Sequence, residues 1–284
     1  MFVTVNGVRL FFDVINPGLE IVPGGLETKP VLVCLHGGPG GDHQSMRPTF
    51  DRLSNVAQVV YVDQRGGGRS EHGPQSAWTM DQWADDIAGV CDALGADAPI
   101  LLGQSGGAIF AQHFLTRHPS RARGVVLLNA CARMDRDALI ANWETIGGPD
   151  AAAAARAMYS APTMEAIGAF FQHCMPHYSR RPPPTGDMAA STNFNFELMN
   201  RFFSEGGEAW SYDHRGKLGA VTCPVLVIAG AHDPVTRPDW GREVFEALPA
   251  GKAEWLLLDD SSHMVPTDQP GVFFDAVERF VRRL

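Results

Sequence analysis

The feature that most constrains this chain is a series of short, continuous apolar runs, each closed by Gly, Asn, Asp or His. They are Val31-Leu32-Val33-Cys34-Leu35, Val59-Val60-Tyr61-Val62, Ile100-Leu101-Leu102 and Val125-Val126-Leu127-Leu128. Runs without polar alternation suit strands buried on both faces, as in a parallel sheet joined by helices. One such helix is well marked. Thr79 is placed to cap it, Gln82 three residues on completes a capping box, and Met80, Trp83, Ala84, Ile87, Cys91 and Leu94 recur at helical spacing before Gly95. Asp81, Asp85 and Asp86 fall in its first half, where carboxylates favour the positive end of the helix dipole. A second helix is expected from about Gly107 to His118, ahead of Pro119, and Met1 to Val5 alternates like a strand.

The rhythm lapses after Asn129. From about 131 to 218 there are helical stretches, an alanine run from Ala151 to Ala155 and a turn at Arg181-Pro182-Pro183-Pro184, but no convincing strand. Alternation resumes at Pro224-Val225-Leu226-Val227-Ile228. It continues through a helix near Arg242 to Leu248 and a strand at Glu254-Trp255-Leu256-Leu257-Leu258. A last amphipathic helix carries Val272, Phe273, Val277, Phe280 and Val281. The expected architecture is α/β: one mostly parallel sheet flanked by helices, with its core in residues 1–130 and 219–284 and a helical cap inserted at 131–218.

Composition narrows the partners. Lys and Arg number 23 against 32 Asp and Glu, so the net charge is 23 − 32 = −9, which argues against nucleic acid or an anionic membrane surface. No run approaches the ~20 apolar residues of a membrane helix, and the first residues lack a basic-then-apolar secretion signal. Five scattered cysteines without a C-x-x-C read as reduced, buried thiols, so a soluble, cytoplasmic protein is expected. Homo-oligomerisation stays open.

The chemistry is written at the third run. Ile100-Leu101-Leu102 feeds Gly103-Gln104-Ser105-Gly106-Gly107 and then a helix, a G-x-S-x-G in the strand–turn–helix setting that the motif requires. Such a serine sits on a turn tight enough to force a positive φ, and the crossing chain leaves no room for side chains at Gly103 and Gly107. A serine needs a base and an orienting acid. Asp233 and His263 each follow a strand at its carboxyl end, in the order Ser, Asp, His expected of this architecture. Asp135 and Asp137, after the strand ending at Leu128, compete with Asp233 for the acid's role. Two backbone N–H groups must face a tetrahedral oxyanion. Gly106 supplies one, and His36-Gly37-Gly38-Pro39-Gly40-Gly41 the other, from Gly37, Gly38 or Gly40, with Gly38 the preferred candidate. No phosphate-cradling pattern follows a strand, and His173, Cys174 and His177 form no closed metal set, so no cofactor or metal is expected.

Taken together, His36-Gly37-Gly38-Pro39-Gly40, Asp63-Gln64-Arg65-Gly66-Gly67-Gly68-Arg69-Ser70, the Ser105 elbow, Asp233 and His263 resemble the proline iminopeptidase family of α/β-hydrolases. The resemblance covers the core and is weak across the insertion. It implies a cofactor-free serine hydrolase that removes an N-terminal residue, often proline, from small peptides or amides. It places the second oxyanion donor at Gly38 and makes the 63–70 stretch a scaffold. Two positions depart from the family: Gly106 stands where a large residue usually follows the nucleophile, and Pro234 where some members carry a Glu after the acid. A substrate amine would then be held from the cap, by Glu144, Glu197, Glu205 or Glu208, with Glu197 the first choice. Phe170, Phe171, Phe194, Phe196, Phe202, Phe203 and Trp210 are candidates to roof an apolar substrate pocket. The substrate is therefore read as a small molecule or short peptide. The competing activity is an esterase or lactonase on a small apolar acyl substrate. A binding protein on the same scaffold would lack part of the constellation, and no part is missing.

Overall fold

The structure, a computed structural model, describes residues 1–182 and 193–284. Its strands are β1 (Phe2–Val5), β2 (Val8–Ile15), β3 (Leu19–Val22), β4 (Gly25–Thr28), β5 (Val31–Leu35), β6 (Gln58–Val62), β7 (Ile100–Gln104), β8 (Gly124–Leu128), β9 (Val225–Gly230) and β10 (Ala253–Leu258). Eight of them form one sheet in the order β1-β2-β6-β5-β7-β8-β9-β10, antiparallel at β1-β2-β6 and parallel from β6 onward. β3 and β4 make a separate hairpin.

The apolar runs behave as two-sided strands. Val33, Leu35, Leu101, Val125, Leu127 and Val227 face one buried layer, while Leu32, Cys34, Leu102, Val126, Leu128 and Ile228 face the other. Successive side chains point to opposite faces, so both parities must be apolar. On the first face lie α1 (Met80–Ala93) and α2 (Gly106–Arg117). On the second lies the C-terminal helix Pro270–Arg282, which buries Phe273, Phe274, Val277, Phe280 and Val281 and leaves Val272 exposed. Each of those large side chains contributes roughly 1.5–3 kcal/mol by leaving water.

The helix caps correct one local expectation. Thr79 accepts the Gln82 N–H at 3.2 Å, but the reciprocal half of the capping box does not form. The Gln82 side chain turns instead to Asp86, at 3.0 Å. Nor do the acidic residues of α1 serve mainly the helix dipole. Asp81 and Asp85 reach across to His113 and Arg117 of α2, and Asp86 takes the buried Arg65 in two hydrogen bonds of 2.7 Å. A specific partner charge outweighs the diffuse dipole end.

Between β8 and β9 the described residues contain helices and single 3₁₀ turns but no strand. The helices are α3 (Arg136–Met158), bent at Gly148 where φ is 78°, α4 (Met164–His173) and α5 (Phe196–Phe203). They share an aromatic-rich cluster around Trp143, Tyr159, Phe170 and Met199. A second cluster, with Trp83, Phe110, Leu198, Phe202 and Tyr212, joins them to α1 and α2. Among the described residues no helix is long and apolar enough to cross a membrane.

Candidate active site

Two neighbouring strands in the sheet, β5 and β7, deliver the surroundings of Ser105, because the order of connection reverses there and their loops diverge. Ser105 ends β7 and starts α2 with φ 54° and ψ −118°, a conformation that L residues seldom adopt. Its N–H donates to the Leu128 carbonyl at 2.9 Å, and its own carbonyl accepts Ala108 N–H at 2.9 Å. The flanking glycines are obligatory: a Cβ on Gly103 would overlap the Gly107 carbonyl, and one on Gly107 would overlap that of Leu35. The loop after β5 passes directly alongside. A Cβ on Gly37 would lie 3.1 Å from Ser105 Cβ, and one on Gly106 would lie 2.9 Å from the Gly38 nitrogen. The backbones of Gly38 and Gly106 therefore meet beside the serine, at the N-terminus of a helix, where positive potential is concentrated.

Asp233 and His263 come together from the loops after β9 and β10. His263 Nδ1 lies 2.7 Å from Asp233 Oδ2, and both side chains are buried. The carboxylate accepts four further hydrogen bonds: Val235 N–H and Thr236 N–H on Oδ1, at 2.7 and 3.0 Å, and Thr236 Oγ1 and Asn129 Nδ2 on Oδ2, at 2.7 and 2.8 Å. Five donors on two oxygens fix it in orientation. The competitors are occupied elsewhere: Asp135 caps α3 by accepting Ala138 N–H at 3.0 Å, and Asp137 lies in that helix's first turn.

Asn129 is a site residue that sequence reasoning missed. It is fully buried, ends β8 with φ 54°, and donates from Nδ2 to both Asp233 Oδ2 and the His263 carbonyl, each at 2.8 Å. The sole signal was an Asn closing a strand on the same sheet edge, where its tolerance of positive φ is useful. Tyr178, from the insertion, packs edge-on against the His263 ring at 5.0 Å. Its carbonyl accepts Met264 N–H at 2.8 Å. Asp268 ties the same two regions, taking Ser262 N–H at 2.7 Å on one oxygen and Arg180 N–H at 2.8 Å on the other.

The 63–70 stretch holds loops in place. Asp63 accepts His43 Nδ1 at 2.7 Å and Arg69 N–H at 2.9 Å. Burial pushes its carboxyl upward, but the His43 hydrogen bond and the neighbouring His36 and N–H groups outweigh that and hold it below the ordinary value. Burial lowers the His36 imidazole below its ordinary value; its ring bonds Gly37 O at 3.0 Å and its carbonyl accepts Gln64 Nε2 at 3.2 Å.

The substrate-binding candidates are scattered. Glu197 is exposed in the first turn of α5 and accepts Gln75 Nε2 at 2.5 Å. Glu144 and Glu205 are exposed, and Glu208 is half-buried, with Met80 N–H at 2.8 Å, so it caps α1. Phe196 is 36% exposed and stacks on Phe194 with ring centroids 6.1 Å apart, and Phe171 is 38% exposed. Trp210 is half-buried among Tyr159 and Phe203 and donates to the Phe203 carbonyl at 2.7 Å. Local aromatic content drew these residues into one list, whereas the helical phase of each decides which side it faces.

The sequence profile of the alpha/beta hydrolase fold family matches residues 30–270. The chain is an α/β-hydrolase. This hydrolase is 29% identical over 264 residues to a proline iminopeptidase of Levilactobacillus brevis, covering 85% of each chain. Its fold superposes on the crystal structure of a proline iminopeptidase from Mycobacterium smegmatis with a TM-score of 0.78 at 23% identity, over 100% of this chain and 97% of the other. The enol-lactonase of Burkholderia xenovorans gives a TM-score of 0.71 at 23% identity, over 99% and 100% of the two chains.

Proposed function

We propose that this hydrolase cleaves a small amide or ester by acyl transfer to Ser105. The observation that carries the reading is the Asp233–His263 pair at 2.7 Å, on the same sheet edge as a serine strained to positive φ. With Nδ1 committed to Asp233, His263 Nε2 takes the Ser105 proton as Oγ attacks the carbonyl carbon. The N–H groups of Gly38 and Gly106 receive the developing oxyanion. His263 then gives its proton to the leaving amine or alcohol, and the acyl group stays on Ser105. Water, deprotonated by the same imidazole, attacks that ester and releases the acid.

The aminopeptidase form of this chemistry, releasing an N-terminal residue, is supported by the relatives named proline iminopeptidase. Glu197, one turn from the loop after β5, is the first candidate for the substrate amine. The esterase or lactonase form draws on a specific observation: Pro234 follows the acid, and Glu144, Glu197 and Glu205 all face solvent. A cytoplasmic setting fits five buried cysteines, none in a disulfide.

Two experiments test the proposal. S105A should lower turnover by several orders of magnitude while the chain stays folded, and a fluorophosphonate should label Ser105; stoichiometric labelling of another serine would sink the assignment. Aminoacyl-arylamides, their N-acetylated forms and short aryl esters and lactones then separate the two activities. Loss of turnover on N-acetylation marks the aminopeptidase, and indifference to the amine marks the esterase.

A further inference from the structure

The loop that carries Gly38 is held from an unexpected side. Asn195, just before α5 in the inserted segment, donates its backbone N–H to the Gly40 carbonyl at 2.8 Å. Its side-chain Nδ2 donates to the Gly66 carbonyl, also at 2.8 Å. Its Oδ1 accepts Glu197 and Leu198 N–H at 3.1 and 3.2 Å and so caps α5. One residue thus spans the loop after β5, the turn at 66–67 and a helix of the insertion.

The surroundings leave this contact little slack. Gly40 has φ 86°, and a Cβ there would lie 2.5 Å from the Asn195 carbonyl oxygen. The two loops also press together, since a Cβ on Gly67 would lie 2.5 Å from the Gly41 carbonyl oxygen. Two residues earlier, Asn193 donates its N–H at 3.0 Å to Asp42 Oδ2, a buried carboxylate at the end of the same loop. Gly38 lies between its neighbour Ser105 and these ties, with Gly41 N–H returning to the Gly38 carbonyl at 3.2 Å.

We infer that Asn195 is a positioning residue for the oxyanion donor at Gly38. The inference rests on the acyl-transfer reading above, in which that N–H receives negative charge only as the tetrahedral intermediate forms. A glycine-rich loop has no side chains of its own with which to fix a peptide plane. Backbone carbonyls held from outside fix it instead, and Asn195 holds Gly40 O in that loop and Gly66 O in the turn pressed against it. Displacement of a donor by a fraction of an ångström weakens binding of the transition state far more than of the ground state.

The decisive variant is N195D. Asp keeps an acceptor for the α5 cap and keeps the backbone N–H. It replaces the Nδ2 donor with an oxygen that repels the Gly66 carbonyl. The expected result is a kcat about tenfold to a hundredfold lower on an aryl ester, with KM within threefold. Inhibition by a trifluoromethyl ketone, whose adduct places an oxyanion on the same donors, should weaken in step with kcat/KM. T163A, which removes the cap of α4 where Thr163 accepts Ala166 N–H at 3.1 Å, should leave kcat unchanged. If N195D keeps kcat within twofold of the parent, Asn195 only caps a helix and the inference falls. N195A should match N195D in kcat if it folds, and N195D carries the test if it does not. S105A and fluorophosphonate labelling run alongside: labelling at another serine overturns the acyl-transfer reading, whereas labelling at Ser105 with an unaffected N195D overturns the role of Asn195 alone.

Discussion

The sheet core and the inserted helices solve the problem of holding polar groups in opposite ways. In the core, Asp233 takes five hydrogen bonds, all from Asn129, Val235, Thr236 and His263 in loops that leave adjacent strands. In the insertion, packing is aromatic, around Trp143, Tyr159 and Phe170, and polar ties to the core are spread over several separate points. Asn195 grips the loop after β5, Asp268 grips Arg180, Glu208 caps α1, and His214 meets His113 at 3.1 Å. The difference gathers the candidate site's polar groups on the sheet edge and leaves the insertion to tie its loops from outside.

The largest effect that tests this division is D233N. An amide at that position turns an N–H toward His263 Nδ1 and favours the wrong tautomer, so kcat should fall by about 10⁴ with the circular dichroism spectrum unchanged. Near-full activity would mean that the sheet edge does not hold the acid, and would reopen Asp135 and Asp137.

Next is W143A. Trp143 is fully buried and packs edge-on to Phe170 at 5.6 Å and face-on to Tyr178 at 6.0 Å. Its truncation should lower stability by about 3–5 kcal/mol in urea titrations. Ser105 should still react with a fluorophosphonate under native conditions. Complete loss of that labelling would show that the sheet edge depends on the insertion.

The smallest effect is a pH dependence at the joint. His214 has no exposed surface, and its Nδ1 has no partner among the described residues. Burial, with the neighbouring His113, pushes its imidazole down to about 3. The folded state therefore binds this proton less readily than the unfolded chain does. Its contribution to stability is fully present above about pH 6.5 and is lost as the pH falls toward 3. H214F should flatten the urea midpoint against pH across that window. A slope equal to the parent's would place the acid sensitivity in other groups.

What was legible in the sequence follows the same line. β5, β6, β7 and β8 could be read because burial on both faces leaves no polar position in the run. The Ser105 elbow could be read because crossing backbones demand glycine at fixed offsets. Asn129 was invisible because its partners lie 104 and 134 positions away. The acidic residues of α1 misled for the same reason: their cations sit on other elements. In the insertion, aromatic content can be counted but not aimed: Phe196, a candidate to roof a substrate pocket, is 36% exposed, whereas Phe170 and Phe202 are buried.

The five cysteines carry a practical consequence. Burial raises every thiol, to about 12 at Cys91, Cys131 and Cys174 and about 11 at Cys223, with Cys34 higher still. Thiolate is the reactive species, so at neutral pH the native chain is nearly inert to maleimides. A single cysteine introduced on the exposed face of α5 would then be the only reactive handle on the molecule. A dye placed there would report on the surroundings of α5 without any native cysteine being removed.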